Sequence, residues 1–582
     1  MKPELLHGSR SRILAGVVLA ITAIFVVRLF YLQVIQHDHY VSLAQSEQVK
    51  RERLPATRGE VYAMSGDQPV KLVLNETVYT VFVDPAIIIE SGHASDVAKV
   101  MKDIAGGNVR PRFEDLLVAK DSRYQIIATR VTRAQAEKIK DKDLSGVGFQ
   151  AVSQRVYPEG QLASQVLGFV NAEGAGNYGL EGFMNSTLSG TDGRLETVTD
   201  VSDIPLTVGG RNIREPAVNG DNLVLTIDRN IQGKVEEVIK AHGQKLGADL
   251  VSAVAMDPKT GKILAMANTP SYNPAEYYKV TDGALFNNAV ISKTFEPGST
   301  IKTFTMSAAI DTNAARATDT FNNTDSIRID DYTIGNATKG KTGNITFQTA
   351  MEWSLNTGFV TLGMRMGDGK SINATARATI YDYFYNRFHL AQKTGVELGG
   401  EVAGRIVPPE QSDGNAVRYS NMTFGQGMDT TLMQVAAGFS SLVNGGDYYK
   451  PTVLAGKMVN GVYEQNKQVA PEQAGVITQS TSQQLRDMIY KARASSIGNR
   501  DKQGYEIGGK TGTAQIPSAG GYSDSETIAS YVGYGGAETP EYVIMVSVYG
   551  KDKVFQGARD ASPIFTELSN WMLDYLKIQP KG

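Results

Sequence analysis

Between Ile13 and Ile35 the chain reads ILAGVVLAITAIFVVRLFYLQVI, uncharged for fifteen residues to Val27 and again after Arg28. A helix that is apolar on every side has no solvated face, so it must lie inside a large core or inside a bilayer. This run is long enough to span the roughly 30 Å of a bilayer's hydrocarbon. Arg28, Leu29, Phe30 and Tyr31 follow where a signal-peptide cleavage site would need small residues, so an uncleaved anchor over residues 13–35 is expected. Lys2, Arg10 and Arg12 precede it, while His37, Asp38, His39 and Glu47 follow. That asymmetry predicts a single pass, with residues 1–12 cytoplasmic and everything after about residue 36 on the outer face of the cell membrane. Arg28 lies about 24 Å along the helix from Arg12, near enough to the far interface for its guanidinium to snorkel there. The alternative is a contact with a second membrane protein.

Beyond the anchor the composition is globular. Hydrophobic residues make up 41% and charged residues 20% of the 582, a length that calls for several domains. With 58 basic against 61 acidic residues and no long basic run, nothing recruits a nucleic acid. Cysteine is absent, which removes disulfides, thiolate catalysis and cysteine-based zinc or iron–sulfur sites. The six histidines include no H-E-x-x-H, so neither a metal nor another cofactor is expected.

Residues 36–215 mix short β-branched runs with charged helical stretches. TVYTVFVDPAIII (77–89) and RYQIIATRV (123–131) read as strands, and TRAQAEKIKDKDL (132–144) as an exposed helix. The glycine-rich AEGAGNYGLEGFMNSTLSGTDGR (172–194) reads as loop, with SGTDG as a turn. A second unit, residues 216–582, opens with Asn219-Gly220 turning into a strand and a helix on which Ile231, Val235 and Val238 recur. VSAVAMDPKTGKILAMANTP (251–270) predicts a hairpin. ASYVGYGG (529–536) and EYVIMVSVYG (541–550) predict two strands, and IFTELSNWMLDYLKI (564–578) an amphipathic helix. Strands at both ends with helices between them indicate an α/β domain.

The chemistry is expected in that second unit. In EPGSTIKTFT (296–305), Pro297-Gly298 precedes a helix start that puts Ser299 and Lys302 on one face. A serine hydroxyl is a poor nucleophile until a base takes its proton; an amine can do so if burial or a nearby cation lowers its pKa well below about 10.4. The helix amino terminus adds oriented N–H groups for a developing oxyanion. Alone the pair is common, and Ser299 is equally readable as an N-cap. EWSLNTGF (352–359) adds Ser354 and Asn356 between helical stretches, where Asn356 alone would be a turn residue. EIGGKTGTAQ (506–515) adds Lys510, Thr511, Gly512 and Thr513 on a probable strand, where Lys510 alone would be an exposed charge. A second Lys-Thr-Gly at 341–343 is expected to form a loop before a helix. GYEIGGKT (504–511) and GNATKGKT (335–342) also fit a P-loop pattern, which needs a following helix; Gly512 and Pro517 argue against one after the first.

S-x-x-K, S-x-N and K-T-G in this order are the active-site set of the penicillin-recognising serine enzymes. Over residues 50–570 the chain resembles a class B penicillin-binding protein, a membrane-anchored peptidoglycan transpeptidase. TRGEVYAMSG (57–66), RVYPEGQLASQVLGFV (155–170) and GLEGFMNSTLSG (179–190) are similar to the motifs of that family's pedestal. NNAVISKTFEPGSTIK (287–302) and TFGQGMDTTLMQVAAGFSSLVNGG (423–446) resemble the lead into the nucleophile and the Gly-Gln-Gly segment, although Asn288-Ala289 departs from the usual Asn-Arg.

The resemblance implies a transpeptidase fold with a mixed, largely antiparallel sheet flanked by helices, after an irregular β-rich pedestal, dimerisation-like domain. It implies that Ser299 attacks the penultimate carbonyl of a D-alanyl-D-alanine stem peptide, with Lys302 as proton acceptor. Ser354 and Lys510 would relay the proton to the leaving D-alanine. Asn356 would hold the substrate amide, and Thr511 and Thr513, helped by Lys510 and flanking Gly512, the terminal carboxylate. The backbone N–H groups of Ser299 and Thr513 would form the oxyanion hole. It further implies trapping by β-lactams, an amine acceptor, and a membrane-embedded glycan polymerase among division or elongation partners, with the compact layout favouring division. The alternatives are a hydrolytic relative (carboxypeptidase or β-lactamase), which needs a base positioned for water, and a non-catalytic penicillin-binding scaffold or sensor.

Overall fold

The computed structural model describes residues 7–40, 49–198, 213–468, 470–518 and 521–581. They form two compact units, Met1–Arg58 with Ser189–Gly220, and Gly59–Leu188 with Asp221–Gly582.

In the first unit, helix His7–Phe30 continues into a π turn, Tyr31–Ile35. The stretch Arg10–Ile35 is long and apolar enough to cross a membrane, with mean hydropathy 2.6 and none of its apolar window buried by protein. The Arg28 guanidinium lies 5.4 Å over the Tyr31 ring. Three antiparallel strands, Val49–Leu54, Gly193–Val198 and Ile213–Glu215, form a small sheet. Thr191 bridges to Val218, so SGTDG leads into this sheet and is not the expected turn. The Asp192 carboxylate pairs with Arg53 and accepts the Ala56 N–H at 2.8 Å.

The second unit holds two large sheets. One is mixed and runs, in spatial order, Val462–Gln465, Leu454–Val459, Asn222–Asp228, Val61–Ser65, Gln68–Val83 and Gln125–Thr132, with Val147–Val156 also paired to Gln68–Val83. Asn222–Asp228 and Val61–Ser65 are its parallel pair. The strand expected over 77–89 stops at Val83, and Pro85–Ser91 is a helix. The reason is local: Asp84 caps it by accepting the Ala86 N–H at 3.0 Å, and Pro85 occupies the first turn, where its missing donor is harmless. The charged helix forms as expected at Arg133–Lys140, closed by a Thr132–Gln135 capping box. The glycine-rich segment is more ordered than expected, containing the short helices Gly179–Phe183 and Asn185–Ser189. Glu181 in the first of these is fully buried and accepts from Arg155 Nε at 2.7 Å.

The other sheet is antiparallel throughout. Its strands are β1 (Leu250–Met256), β2 (Ile263–Thr269), β3 (Glu506–Ser518), β4 (Gly521–Gly536) and β5 (Pro540–Tyr549), in spatial order β2-β1-β5-β4-β3. The expected hairpin is β1–β2, with Val251 opposite Thr269. On β5, Tyr542, Ile544, Val546 and Val548 pack with Ile231, Val235, Phe565 and Leu568 of α1 (Arg229–Leu246) and α6 (Ser562–Tyr575). The alternate residues Val543 and Met545 join the core of α2 (Lys302–Asp311) and α5 (Leu432–Val443). Side chains alternate across a strand, so burial of both faces places this sheet between helical layers. All twelve residues of α5 are buried, and so are those of α2 from Lys302 to Ile310. Between these helices come α3 (Phe347–Glu352) and α4 (Asn356–Arg365).

Breaking a buried ion pair strands the surviving charge. Glu181→Ala should therefore destabilise this unit by about 3–5 kcal/mol, read as a lower urea midpoint of the purified full chain.

Candidate active site

Three segments meet because glycines let backbones touch. Gly298 has φ +56, a left-handed turn that costs glycine little, and donates its N–H to Gly425 O at 3.0 Å. A Cβ there would sit 2.9 Å from Thr513 O, and one on Gly425 would sit 2.0 Å from Gly298 O. On β3, a Cβ at Gly512 would lie 2.3 Å from Ser530 Oγ and 2.9 Å from Pro297 O. Ser299 is therefore the second residue of a 3-10 turn, Gly298–Ile301, whose start abuts Gly512 and Thr513 of β3. The turn runs into α2, as the sequence predicts. Ser299 is half-buried, and its hydroxyl has no hydrogen-bond partner among the described residues.

Lys302 is fully buried. Its Nζ lies 2.7 Å from the Ser354 carbonyl, 2.8 Å from Asn356 Oδ1 and 3.0 Å from Ser354 Oγ. The hydrogen bonds of the Lys302 amine thus go to Ser354 and Asn356. Ser354 occupies the link between α3 and α4 at φ +54, a sparsely populated conformation for a residue with a Cβ. The Asn356 carboxamide is engaged at both ends, since its Nδ2 donates to Gly335 O at 2.9 Å.

Lys510 is 5% exposed and faces its neighbour, with Nζ 3.2 Å from both Thr511 O and Thr511 Oγ1. Burial lowers its pKa to about 8. Burial also drives Lys302 well below the ordinary lysine value, and the Lys510 ammonium lowers it further. Thr513 is exposed, and its Oγ1 accepts the Gly557 N–H at 3.1 Å. β3 is the last strand of its sheet, so one of its edges pairs with no other strand among the described residues.

The second Lys-Thr-Gly stays outside this cluster. Lys341 lies 3.8 Å over the Trp353 ring, and Gly343–Thr346 forms a strand before α3, not a loop alone. Neither P-loop pattern leads into a helix, since Thr511 continues in β3. No three His, Cys, Asp or Glu residues group as a metal site among the described residues.

Glu296, three residues before Ser299, has no local signal of its own in the sequence. Glu296 is buried, accepts the Gly427 N–H at 2.8 Å and the Tyr522 hydroxyl at 3.1 Å, and is pushed up to about 6 by burial. Its place before Pro297-Gly298 was visible, but its partners come from segments more than 100 residues away.

Residues 251–570 match the family model described as penicillin binding protein transpeptidase domain, and residues 53–225 that of the penicillin-binding protein dimerisation domain. The chain is 30% identical over 562 residues to stage V sporulation protein D of Bacillus subtilis, covering 95% of this chain and 84% of that one. It is 25% identical to the probable peptidoglycan D,D-transpeptidase PenA of Neisseria meningitidis, covering 100% and 94%. Penicillin binding protein 3 from Mycobacterium tuberculosis, solved in complex with aztreonam, superposes with a TM-score of 0.67 at 24% identity, over 91% of this chain and 98% of that one.

Gly425→Ala, which inserts a Cβ into the Gly298 carbonyl at a positive φ, should speed amide hydrogen exchange across 298–302 and lower the unfolding midpoint.

Proposed function

The chain belongs to the penicillin-binding protein transpeptidase family, and from that premise we propose that it is a serine-type D-alanyl-D-alanine transpeptidase. In this reading it cross-links peptidoglycan stem peptides through an acyl-enzyme on Ser299. The observation that carries the reading is the fully buried Lys302 amine, driven towards its neutral, proton-accepting form beside Ser354 and Asn356.

The steps follow from the groups present. The Ser299 oxygen attacks the penultimate carbonyl as Lys302 takes its proton. The backbone N–H groups of Ser299 and Thr513 receive the oxyanion, each contributing roughly 2.7–4 kcal/mol to the transition state. Ser354 and Lys510 return the proton to the departing D-alanine nitrogen, the C–N bond breaks, and an ester to Ser299 remains. An acceptor amine then attacks that ester, forming the cross-link and freeing the serine. Asn356 holds the donor amide, while Thr511 and Thr513 with charged Lys510 hold the terminal carboxylate. Gly512 permits the approach of β3 to Pro297 that this needs. A β-lactam acylates the same serine and leaves slowly.

We assign residues 36–215 to the pedestal and 216–582 to the transpeptidase domain. Helix Arg10–Ile35 anchors the chain in the cell membrane with its amino terminus cytoplasmic, an orientation supported by Arg10 and Arg12 ahead of the apolar run. The catalytic domain then works outside the membrane, in septal synthesis beside a membrane-embedded glycan polymerase.

A fluorescent penicillin should label the wild-type chain covalently and leave Ser299→Ala unlabelled; equal labelling of both would remove Ser299 from this role. Lys302→Met should slow acylation roughly 10²–10⁴-fold. The pH profile has two limbs of opposite sign. Acylation by a D-alanyl-D-alanine peptide should rise with pH as Lys302 loses its proton, then fall above about 8 as Lys510 loses the charge that holds the carboxylate.

A further inference from the structure

The helix that carries Asn356 starts without a cap of its own. Leu355 stands at the N-cap of α4, and its side chain has no oxygen to offer the N–H groups of the first turn. That oxygen comes from another segment. Asn336 Oδ1 accepts the Thr357 N–H at 3.0 Å, and the Thr357 hydroxyl donates to Asn323 Oδ1 at 2.7 Å. Asn336 Nδ2 donates to Asn323 Oδ1 at 3.1 Å, and Asn323 Nδ2 to Lys341 O at 2.7 Å. Asn323, Asn336 and Thr357 are all buried, so each bond lost here would leave a polar group unpaired. The second Lys-Thr-Gly thereby gains a part in the structure, since its Lys341 carbonyl ends the network.

The residue before Asn336 reaches the site. Gly335 O accepts Asn356 Nδ2 at 2.9 Å, while Asn356 Oδ1 lies 2.8 Å from Lys302 Nζ. Gly335 is itself exposed, where water competes for its carbonyl. Its neighbours hold it in place. Asn336 is tied to the first turn of α4, and the hairpin of Ser326–Ile329 with Tyr332–Gly335 packs Ile329 and Ile334 with Val360 of α4 and Phe424.

The oxygen and the amino group of a carboxamide are similar in size, so hydrogen bonds choose which end faces Lys302. With Gly335 O as acceptor, Nδ2 points away from the lysine and Oδ1 takes one of its N–H groups. Asn356 then leaves the lone pair of the neutral amine to the Ser299 proton. Turned round, Nδ2 would donate to that lone pair and occupy the base.

We infer that Asn336 is a positioning residue for acylation: it caps α4 from the neighbouring hairpin and sets the Gly335 carbonyl that fixes the Asn356 carboxamide with its oxygen towards Lys302. The inference rests on the transpeptidase reading and extends its machinery to the 323–341 segment.

The test is a double-mutant cycle on the full-length chain, read as the second-order rate constant for acylation by a fluorescent penicillin. Asn336→Ala should acylate about tenfold more slowly than wild type, the rate equivalent of one well-placed hydrogen bond. In an Asn356→Ala background there is no carboxamide to orient, and the same change should cost no more than about twofold. Thr357→Val keeps the shape of the side chain but removes the hydroxyl between Asn336 and Asn323; it should cost about threefold, again only with Asn356 present. Thr357→Ser restores the hydroxyl and should restore the wild-type rate. The Thr357 pair carries the test if Asn336→Ala fails to fold.

A folded Asn336→Ala chain that acylates at the wild-type rate overturns the inference. So does an equal loss with and without the Asn356 carboxamide, the mark of a residue that only braces α4. Where the Thr357 pair carries the test, equal rates for valine and serine do the same. The Ser299→Ala control separates the two levels. Wild-type labelling that Ser299→Ala abolishes, with no coupling between Asn336 and Asn356, sinks this inference alone. Labelling absent from wild type, or kept in Ser299→Ala, sinks the transpeptidase reading beneath it.

Discussion

The rest of the site depends on one amine taken entirely out of water. Lys302 sits at the start of a helix whose neighbouring residues are all buried, and a charged ammonium there would carry a large desolvation penalty. Three oxygens from Ser354 and Asn356 hold its nitrogen, and Lys510 opposes its protonation. Both conditions, burial and the Lys510 charge, favour the neutral amine over the ammonium. The surrounding core provides the burial: Phe304, Met306, Phe359 and Leu362 bury completely around the helices that carry it and its partners. Stability and reactivity are coupled here, because the packing that excludes water also lowers the pKa.

The second constraint is backbone proximity. Gly298, Gly425 and Gly512 have no room for a Cβ, and between them they let the turn that carries Ser299, the 423–427 segment and β3 abut. Side chains alone could not bring Ser299 so close to the Lys510–Thr513 strand. β3 is also the last strand of its sheet, with one edge paired to no other strand among the described residues. Ser354, held at a positive φ between two helices, adds local strain that the flanking α3 and α4 maintain.

Much of this was legible in the sequence, and the failures have physical causes. Ser299, Lys302, Ser354, Asn356 and Lys510–Thr513 were all nominated, because each motif is local and rests on residue types that the chemistry requires. The hairpin over 251–270, the terminal strands and the last helix followed from periodicity. The stretch after Val83 misled because Ile87, Ile88 and Ile89 favour a strand, while the Asp84 cap and Pro85 decide for a helix. Glu296 carries no local signal, since its partners are Gly427 and Tyr522, remote in the chain. The parallel pairing of Val61–Ser65 with Asn222–Asp228 joins residues about 160 positions apart, which no local pattern reveals.

By itself the sequence determined which reactive groups exist, their order, the absence of thiol chemistry and an apolar segment fit for a bilayer. These are matters of composition and short-range spacing, and they survive any arrangement of the chain. Only the tertiary structure decided that the Lys302 amine faces Ser354 and Asn356 and that Lys510 lowers it. Only it brought Gly427 and Tyr522 to Glu296. Those outcomes depend on burial and on contacts between segments remote in the chain, and a pKa is a property of that environment, not of the residue.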